Sequence, residues 1–213
     1  MELQLALDRL SLEDAIDLAR RTDYFTDYVE VGTSLIKEFG MRSVFEVKKA
    51  CPDKLVMADM KIMDNAVYES KLAFEAGADL LTVMGAAPVE TIEICLNEAE
   101  KRGRTVMIDL LNTDLERTAK IVHCPAIFCV HTSKDLQESG NGSFEFEGLS
   151  FLKEMGVRTA AAGGIGVKSI PSLQKSGVSI VIAGSSITKA ADPSRAAAEL
   201  KEACMKGMSS LEC

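Results

Sequence analysis

The sequence predicts a single (β/α)8 TIM barrel, one compact α/β domain, and three observations carry that prediction. Short apolar runs alternate with amphipathic segments of about 10–12 residues from one end of the chain to the other. The runs recur roughly every 25 residues, one βα unit each. There are eight of them, and no Pro/Ser-rich linker or shift in composition divides the series. A βα unit repeated eight times without a boundary closes into a barrel. An open, doubly wound sheet is the alternative; no G-x-G-x-x-G follows the first run, which weighs against its dinucleotide-binding form. The barrel is expected over residues 1–207, with 208–213 as a short tail.

The eight expected strands are Leu3–Leu7, Tyr28–Val31, Leu55–Ala58, Leu80–Val83, Thr105–Ile108, Ala126–Val130, Arg158–Ala161 and Ile180–Ala183. They are nearly all apolar and often β-branched, as strands covered on both faces should be. Between them, Ser11 with Asp14 starts the first helix in capping-box fashion. A helical period over Val67–Ala76 stops at Gly77, and the next helix has Pro88 near its first turn and ends by Gly103. Thr113 or Asp114 supplies a later cap, and Asp192-Pro193 offers a cap and a first-turn proline before Ala196–Met205. Gly156 and Gly177 follow helical segments where a left-handed residue is wanted.

Composition narrows the function. Against 24 Lys+Arg stand 32 Asp+Glu, a formal charge of −8, which argues against nucleic-acid binding because that needs a basic surface. No apolar stretch approaches the ~20 residues that cross a bilayer, and Met-Glu-Leu-Gln-Leu-Ala-Leu-Asp has no basic leader region. A cytoplasmic protein without membrane partners is therefore expected. The six cysteines show no C-x-x-C pair and read as reduced core thiols. With only two histidines, a multi-His transition-metal site is not expected; His123, beside Pro125, reads as a surface residue.

In such barrels chemistry sits at the C-terminal ends of the strands. Those ends carry Asp8, Glu30, Asp59 followed by Lys61, Asp109 and His131, then Gly163-Gly164 and Gly184-Ser185. Helix caps are supplied elsewhere, so these ionisable residues are spare, and charge at the mouth of an apolar barrel is costly unless paired or bound to an ion. Residues two apart in a strand share a face, so Asp59 and Lys61 should project together, with Asp64 already in the loop. Strand spacing of about 4.8 Å brings Glu30 near Asp59 and Asp8 near Glu30. Two carboxylates converging without Cys or His suit a hard ion such as Mg²⁺, with Mn²⁺ of the same kind; a bare Lys–Asp ion pair is the plainer reading. The glycines after strands 7 and 8 let backbone N–H groups approach a phosphate, aided by the helix N-terminus at Ser185. His131 is the acid–base candidate, since its ordinary pKa lies near neutrality, and the Ser/Gly/Asn-rich stretch from Thr132 to Phe146 reads as a loop covering the site. These residues describe a barrel that forms or consumes an enediolate on a phosphorylated small molecule.

At these same residues the sequence resembles the 3-hexulose-6-phosphate synthase family, in the superfamily that also holds 3-keto-L-gulonate-6-phosphate decarboxylase and orotidine monophosphate decarboxylase. The resemblance spans nearly the whole chain and is carried by Leu3–Asp8, Val29–Thr33, Ala58–Asp64 with its D-x-K-x-x-D element, Ala76–Asp79, Val130–Thr132, Ala162–Ile165 and Ala183–Ser185. It implies an aldol condensation of formaldehyde with D-ribulose 5-phosphate, a phosphorylated pentulose, and its reversal. It further implies Glu30 and Asp59 on Mg²⁺, Lys61 as an electrostatic partner of the enediolate and His131 moving protons. Asp8 and Asp109 would bind hydroxyls, and Gly163, Gly164, Gly184 and Ser185 would take the phosphate. It implies a homodimer in which Asp64 reaches the partner's active site. The sister decarboxylase pattern has Arg after the strand-6 His, Thr before the glycine pair and Arg after the strand-8 Gly; here Lys134, Ala162 and Ser185 stand there. Lys134 keeps the charge but not the guanidinium fork. A catalytically silent phosphosugar binder on the same scaffold is the third reading.

Overall fold

The computed structural model describes residues 1–133, 135, 138, 139 and 146–206. Its eight strands are β1 (Glu2–Leu7), β2 (Tyr28–Val31), β3 (Leu55–Ile62), β4 (Leu80–Met84), β5 (Thr105–Asp109), β6 (Ile127–His131), β7 (Thr159–Ala162) and β8 (Ile180–Ala183). All pair in parallel in sequence order, and β1 pairs with β8 through Glu2↔Ile180 to Leu5↔Ala183, so the barrel is closed. The open-sheet alternative is excluded by that closing pair. Seven strands match their expected spans to within one or two residues at each end, and β3 runs four residues further.

Helices fill the connections: α1 (Leu12–Thr22), α2 (Thr33–Phe39), α3 (Met41–Ala50), α4 (Ala66–Glu75), α5 (Val89–Glu100), α6 (Leu115–Ile121), α7 (Phe146–Glu154), α8 (Ile170–Lys175), α9 (Ser185–Thr188) and α10 (Pro193–Lys206). Ser11 caps α1 as expected: its Oγ accepts the Asp14 N–H at 3.1 Å and donates to the Asp14 carboxylate at 2.6 Å. Asp114, not Thr113, caps α6 by accepting the Arg117 N–H at 2.7 Å, and Asp192 accepts the Arg195 N–H ahead of α10. The β2–β3 connection holds two helices rather than one, parted at Gly40, whose φ of +63° only glycine adopts freely.

Two apolar layers result. Between barrel and helices lies the large core, with Leu3, Leu5, Leu7, Val29, Leu81, Ile108 and Val181 facing outward from their strands. Inside the barrel, Tyr28, Met57, Leu80, Met107, Ile127, Cys129, Ala160 and Ile180 form a second, separate cluster. At the N-terminal rim the carboxylate of Asp79 accepts the Val56 N–H at 2.9 Å and the Lys48 ammonium at 2.8 Å and pairs with Arg104. That ties α3, β3 and the start of β5 together and accounts for Ala76–Asp79 as a structural element. Five cysteines are buried and free, and His123 is exposed. Among the described residues no helix is long and apolar enough to cross a membrane. Lys134, most of the stretch between Thr132 and Phe146, and the tail 208–213 with Cys213 lie outside the described residues.

Candidate active site

The C-terminal rim collects the residues expected there, and the way β3 gets them together differs from simple alternation. Its register with β4 runs Met57↔Leu80 and Ala58↔Leu81, then jumps to Ile62↔Val83. Four steps along β3 thus answer two along β4, and Asp59–Lys61 bulge from the ladder. Lys61 itself sits at φ +49°, a left-handed conformation that costs a non-glycine residue about 1–2 kcal/mol. Asp59 and Lys61 do meet, Nζ to Oδ1 at 3.0 Å, but through this distortion rather than a regular pleat.

From there a chain of contacts crosses the rim. The Lys61 ammonium also donates to Asp109 Oδ2 at 2.7 Å, and the same oxygen lies 2.9 Å from His131 Nδ1. Asp109 Oδ1 accepts the Leu111 N–H at 2.9 Å. Burial alone would raise the Asp109 carboxyl; the hydrogen bond and charge of His131, with the Lys61 ammonium, outweigh it and hold Asp109 well below the usual carboxylate range. For Lys61 burial would lower the pKa, but Asp59, Asp109 and Glu30 overcome it and keep the amine protonated above its ordinary value. A Schiff-base lysine needs the opposite shift; Lys61 is built as a fixed positive charge.

Asp59 is held from three sides. Thr33 donates to Oδ2 at 2.6 Å, Thr82 donates to Oδ1 at 2.8 Å, and Lys61 donates to Oδ1. Glu30, buried in the barrel beside it, accepts the Gln4 amide N–H at 2.6 Å. Burial first, then the negative charges of Asp59 and Asp8, push the Glu30 carboxyl well above its usual range, against the pull of Gln4 and Lys61. Gln4 Oε1 is buried with no hydrogen-bond partner. Glu30, Asp59 and Asp109 thus crowd around the single ammonium of Lys61, and a divalent cation would relieve the repulsion that helps raise Glu30. Among the described residues no group of three or more His, Cys, Asp and Glu could hold a metal alone. Two carboxylates with the remaining positions left to water and substrate is how Mg²⁺ is commonly held, so the residues present fit it.

Asp8 is exposed at the rim, its Oδ1 accepting both the N–H and hydroxyl of Ser34 at 3.1 and 2.6 Å. Gly32 makes that fit possible: a Cβ there would lie 2.3 Å from the Asp8 carboxylate. Across the mouth, Gly163 and Gly164 stand at φ +103° and +68°, and Gly184-Ser185 opens α9. Asp64 is exposed and joins none of these contacts; it lies in the loop after β3. Asp109 holds Lys61 and His131 through Oδ2, while Oδ1 accepts the Leu111 N–H and keeps acceptor capacity for a further donor. Cys129, inside the barrel, has its thiol driven well up by burial and is unreactive there. Sequence reasoning gave no role to Gln4, Thr33, Ser34 or Thr82. Each is an ordinary polar residue in a strand or helix start, and only the fold shows which carboxylate it serves.

Charge concentrated at this rim of a closed parallel barrel defines a (β/α)8-barrel enzyme. A family model described as Orotidine 5'-phosphate decarboxylase / HUMPS family matches residues 1–200, and the chain belongs to that family. Among its relatives, the 3-hexulose-6-phosphate synthase of Bacillus subtilis (strain 168) is 40 % identical over 212 residues, 97 % of this chain and all of the relative. The crystal structure of 3-hexulose-6-phosphate synthase from Salmonella typhimurium superposes with a TM-score of 0.91 at 35 % identity, covering 97 % of this chain and 100 % of that one. The 3-keto-L-gulonate-6-phosphate decarboxylase from Vibrio cholerae O1 biovar El Tor gives 0.86 at 29 % identity, covering 96 and 97 %.

Proposed function

We propose that this enzyme is an aldehyde-lyase of the aldolase type that condenses formaldehyde with D-ribulose 5-phosphate to D-arabino-3-hexulose 6-phosphate, and runs the reverse. The observation that carries the reading is the contact chain Asp59–Lys61–Asp109–His131 at the barrel rim, together with relatives named for the synthase. A proton must leave C1 of the pentulose, a bond must form from C1 to the formaldehyde carbon, and the former aldehyde oxygen must gain a proton. His131 is placed to move a proton at C1 or at the formaldehyde oxygen, its ring oriented by Asp109. Lys61, kept protonated, faces the negative charge that develops on the enediolate and stabilises it through space. Asp8 is positioned for a substrate hydroxyl, and Gly163, Gly164, Gly184 and Ser185 line the side that would take the phosphate. Glu30 and Asp59 would hold Mg²⁺ or Mn²⁺, which supplies positive charge against the same developing oxyanion.

A homodimer with shared sites fits the surface around Asp64. That carboxylate stands among Met63, Val67 and Tyr68, exposed by 48, 55 and 58 %, an apolar rim of the kind partner subunits cover. A cytoplasmic role in fixing or releasing formaldehyde goes with this chemistry.

The test adds purified protein and Mg²⁺ to ribulose 5-phosphate and formaldehyde. Disappearance of formaldehyde with a hexulose phosphate as product supports the reading. Persistent formaldehyde, with CO₂ released from 3-keto-L-gulonate 6-phosphate, would assign the sister decarboxylase activity instead. Inactivity in both assays would leave a phosphosugar-binding protein.

A further inference from the structure

We infer that Thr82 is a positioning residue of this reaction: its hydroxyl holds the left-handed turn of β3 that delivers the Lys61 ammonium to Asp109. The inference rests on the role proposed for Lys61. Between Ala58 and Ile62 the main chain of β3 has no register partner on β4, so the ladder cannot hold the bulge in shape. Thr82 replaces it with a side chain. Leu80 points into the barrel, and Thr82, two residues on, points the same way; it is buried. Its Oγ1 accepts the Lys61 backbone N–H at 2.9 Å and gives its one proton to Asp59 Oδ1 at 2.8 Å. A single hydroxyl thus fixes both ends of the three-residue bulge, the carboxylate at its start and the amide of the strained residue at its end. Outside the sheet ladder, which resumes at Ile62↔Val83, the other bonds of Lys61, to Asp59 and Asp109, are made by Nζ at the far end of a flexible side chain. Without the hydroxyl, the Lys61 amide loses its partner, the backbone relaxes toward extended φ, and Nζ withdraws from Asp109.

The isosteric pair Thr82→Val and Thr82→Ser separates the hydroxyl from the shape. With ribulose 5-phosphate, formaldehyde and Mg²⁺, Thr82→Val should lower kcat by about 10- to 10²-fold, as displacement of a catalytic group by an ångström does. KM for ribulose 5-phosphate should stay within about twofold, because the phosphate side of the mouth is untouched, and Thr82→Ser should stay within about threefold of wild type in kcat. A merely structural role would move melting temperature and folded fraction, not kcat alone. If Thr82→Val does not fold, Thr82→Ala removes the same hydroxyl with less bulk. A double-mutant cycle adds the decisive arm: in Lys61→Ala, loss of the Thr82 hydroxyl should cost far less than in wild type. Equal turnover of the Val and Ser variants, or full multiplication of the two losses, would overturn the inference. Undiminished kcat in Lys61→Ala alone would instead overturn the proposed role of Lys61, and the two failures are read from different proteins.

Discussion

Asp109 and His131 are joined at 2.9 Å through the one carboxylate oxygen that also receives the Lys61 ammonium, at 2.7 Å. The fixed cation and the proton-moving ring therefore share a single anchor, and a change at that anchor reaches both.

Asp109→Asn keeps the shape and removes the charge. Turnover should fall by about 10²-fold or more, since both the oriented imidazole and the ammonium lose their counter-charge. The stability effect has a definite pH signature. The folded pKa of Asp109 lies below its unfolded value, so its contribution is complete above ~3.9 and fades as pH falls toward the folded pKa. Urea unfolding should show a wild-type advantage that is flat from pH 5 to 8 and shrinks below about pH 4; an advantage that grew on acidification would contradict this.

Glu30 should behave with the opposite sign. Its carboxyl is raised in the folded state, so the folded protein binds the proton more tightly than the unfolded chain and loses stability as pH rises through that interval. In chelator-treated protein, Glu30→Gln should melt higher than wild type at pH 8, with a smaller gain at pH 5. Mg²⁺ should raise the melting temperature of wild type and leave that of Glu30→Gln unmoved. Equal Mg²⁺ responses in the two proteins would remove Glu30 from the ion's ligands.

Gly32→Ala places a methyl 2.3 Å from the Asp8 carboxylate, far inside van der Waals contact. Asp8 must swing away from Ser34, and kcat/KM should drop by about 10-fold, a few-tenths-of-a-turn displacement being enough to spoil a hydroxyl contact. Ser34→Ala, which loosens Asp8 without expelling it, should give a smaller drop measured in the same assay.

If Asp64 serves a partner's site, Asp64→Ala and Lys61→Ala are each inactive for a different reason. Mixing them under conditions of subunit exchange should regenerate up to about a quarter of wild-type activity, the share of intact sites in randomly mixed dimers. Exchange confirmed by mass, with no recovered turnover, would place Asp64 within its own subunit's business or outside catalysis.

The barrel was legible because its strands are buried on both faces: an all-apolar run such as Val106–Ile108 or Ile180–Ala183 has few other structures open to it. The rim residues were legible for a related reason, since an ion at the end of such a run must be explained. What could not be read was cross-chain. The bulge at Asp59–Lys61 depends on the register of β4, and the expected pleat reached the right contact by the wrong geometry. Thr82 and Thr33 became visible only as donors to Asp59, and Gln4 only as the donor beneath Glu30. A hydroxyl or carboxamide inside an apolar run is compatible with dozens of partners until the fold chooses one. The division of the β2–β3 connection at Gly40 escaped for a smaller reason: Thr33–Phe39 is too short to show a helical period.

The apolar plug formed by Met57, Met107, Ile127 and their neighbours inside the barrel has a historical consequence. It insulates the Asp79 clasp at one end from the reacting groups at the other, so selection could rewrite the upper loops for a new carbon compound while the foundation went on folding unaltered. Descent with changed chemistry is cheap in a molecule whose two ends do not talk to each other.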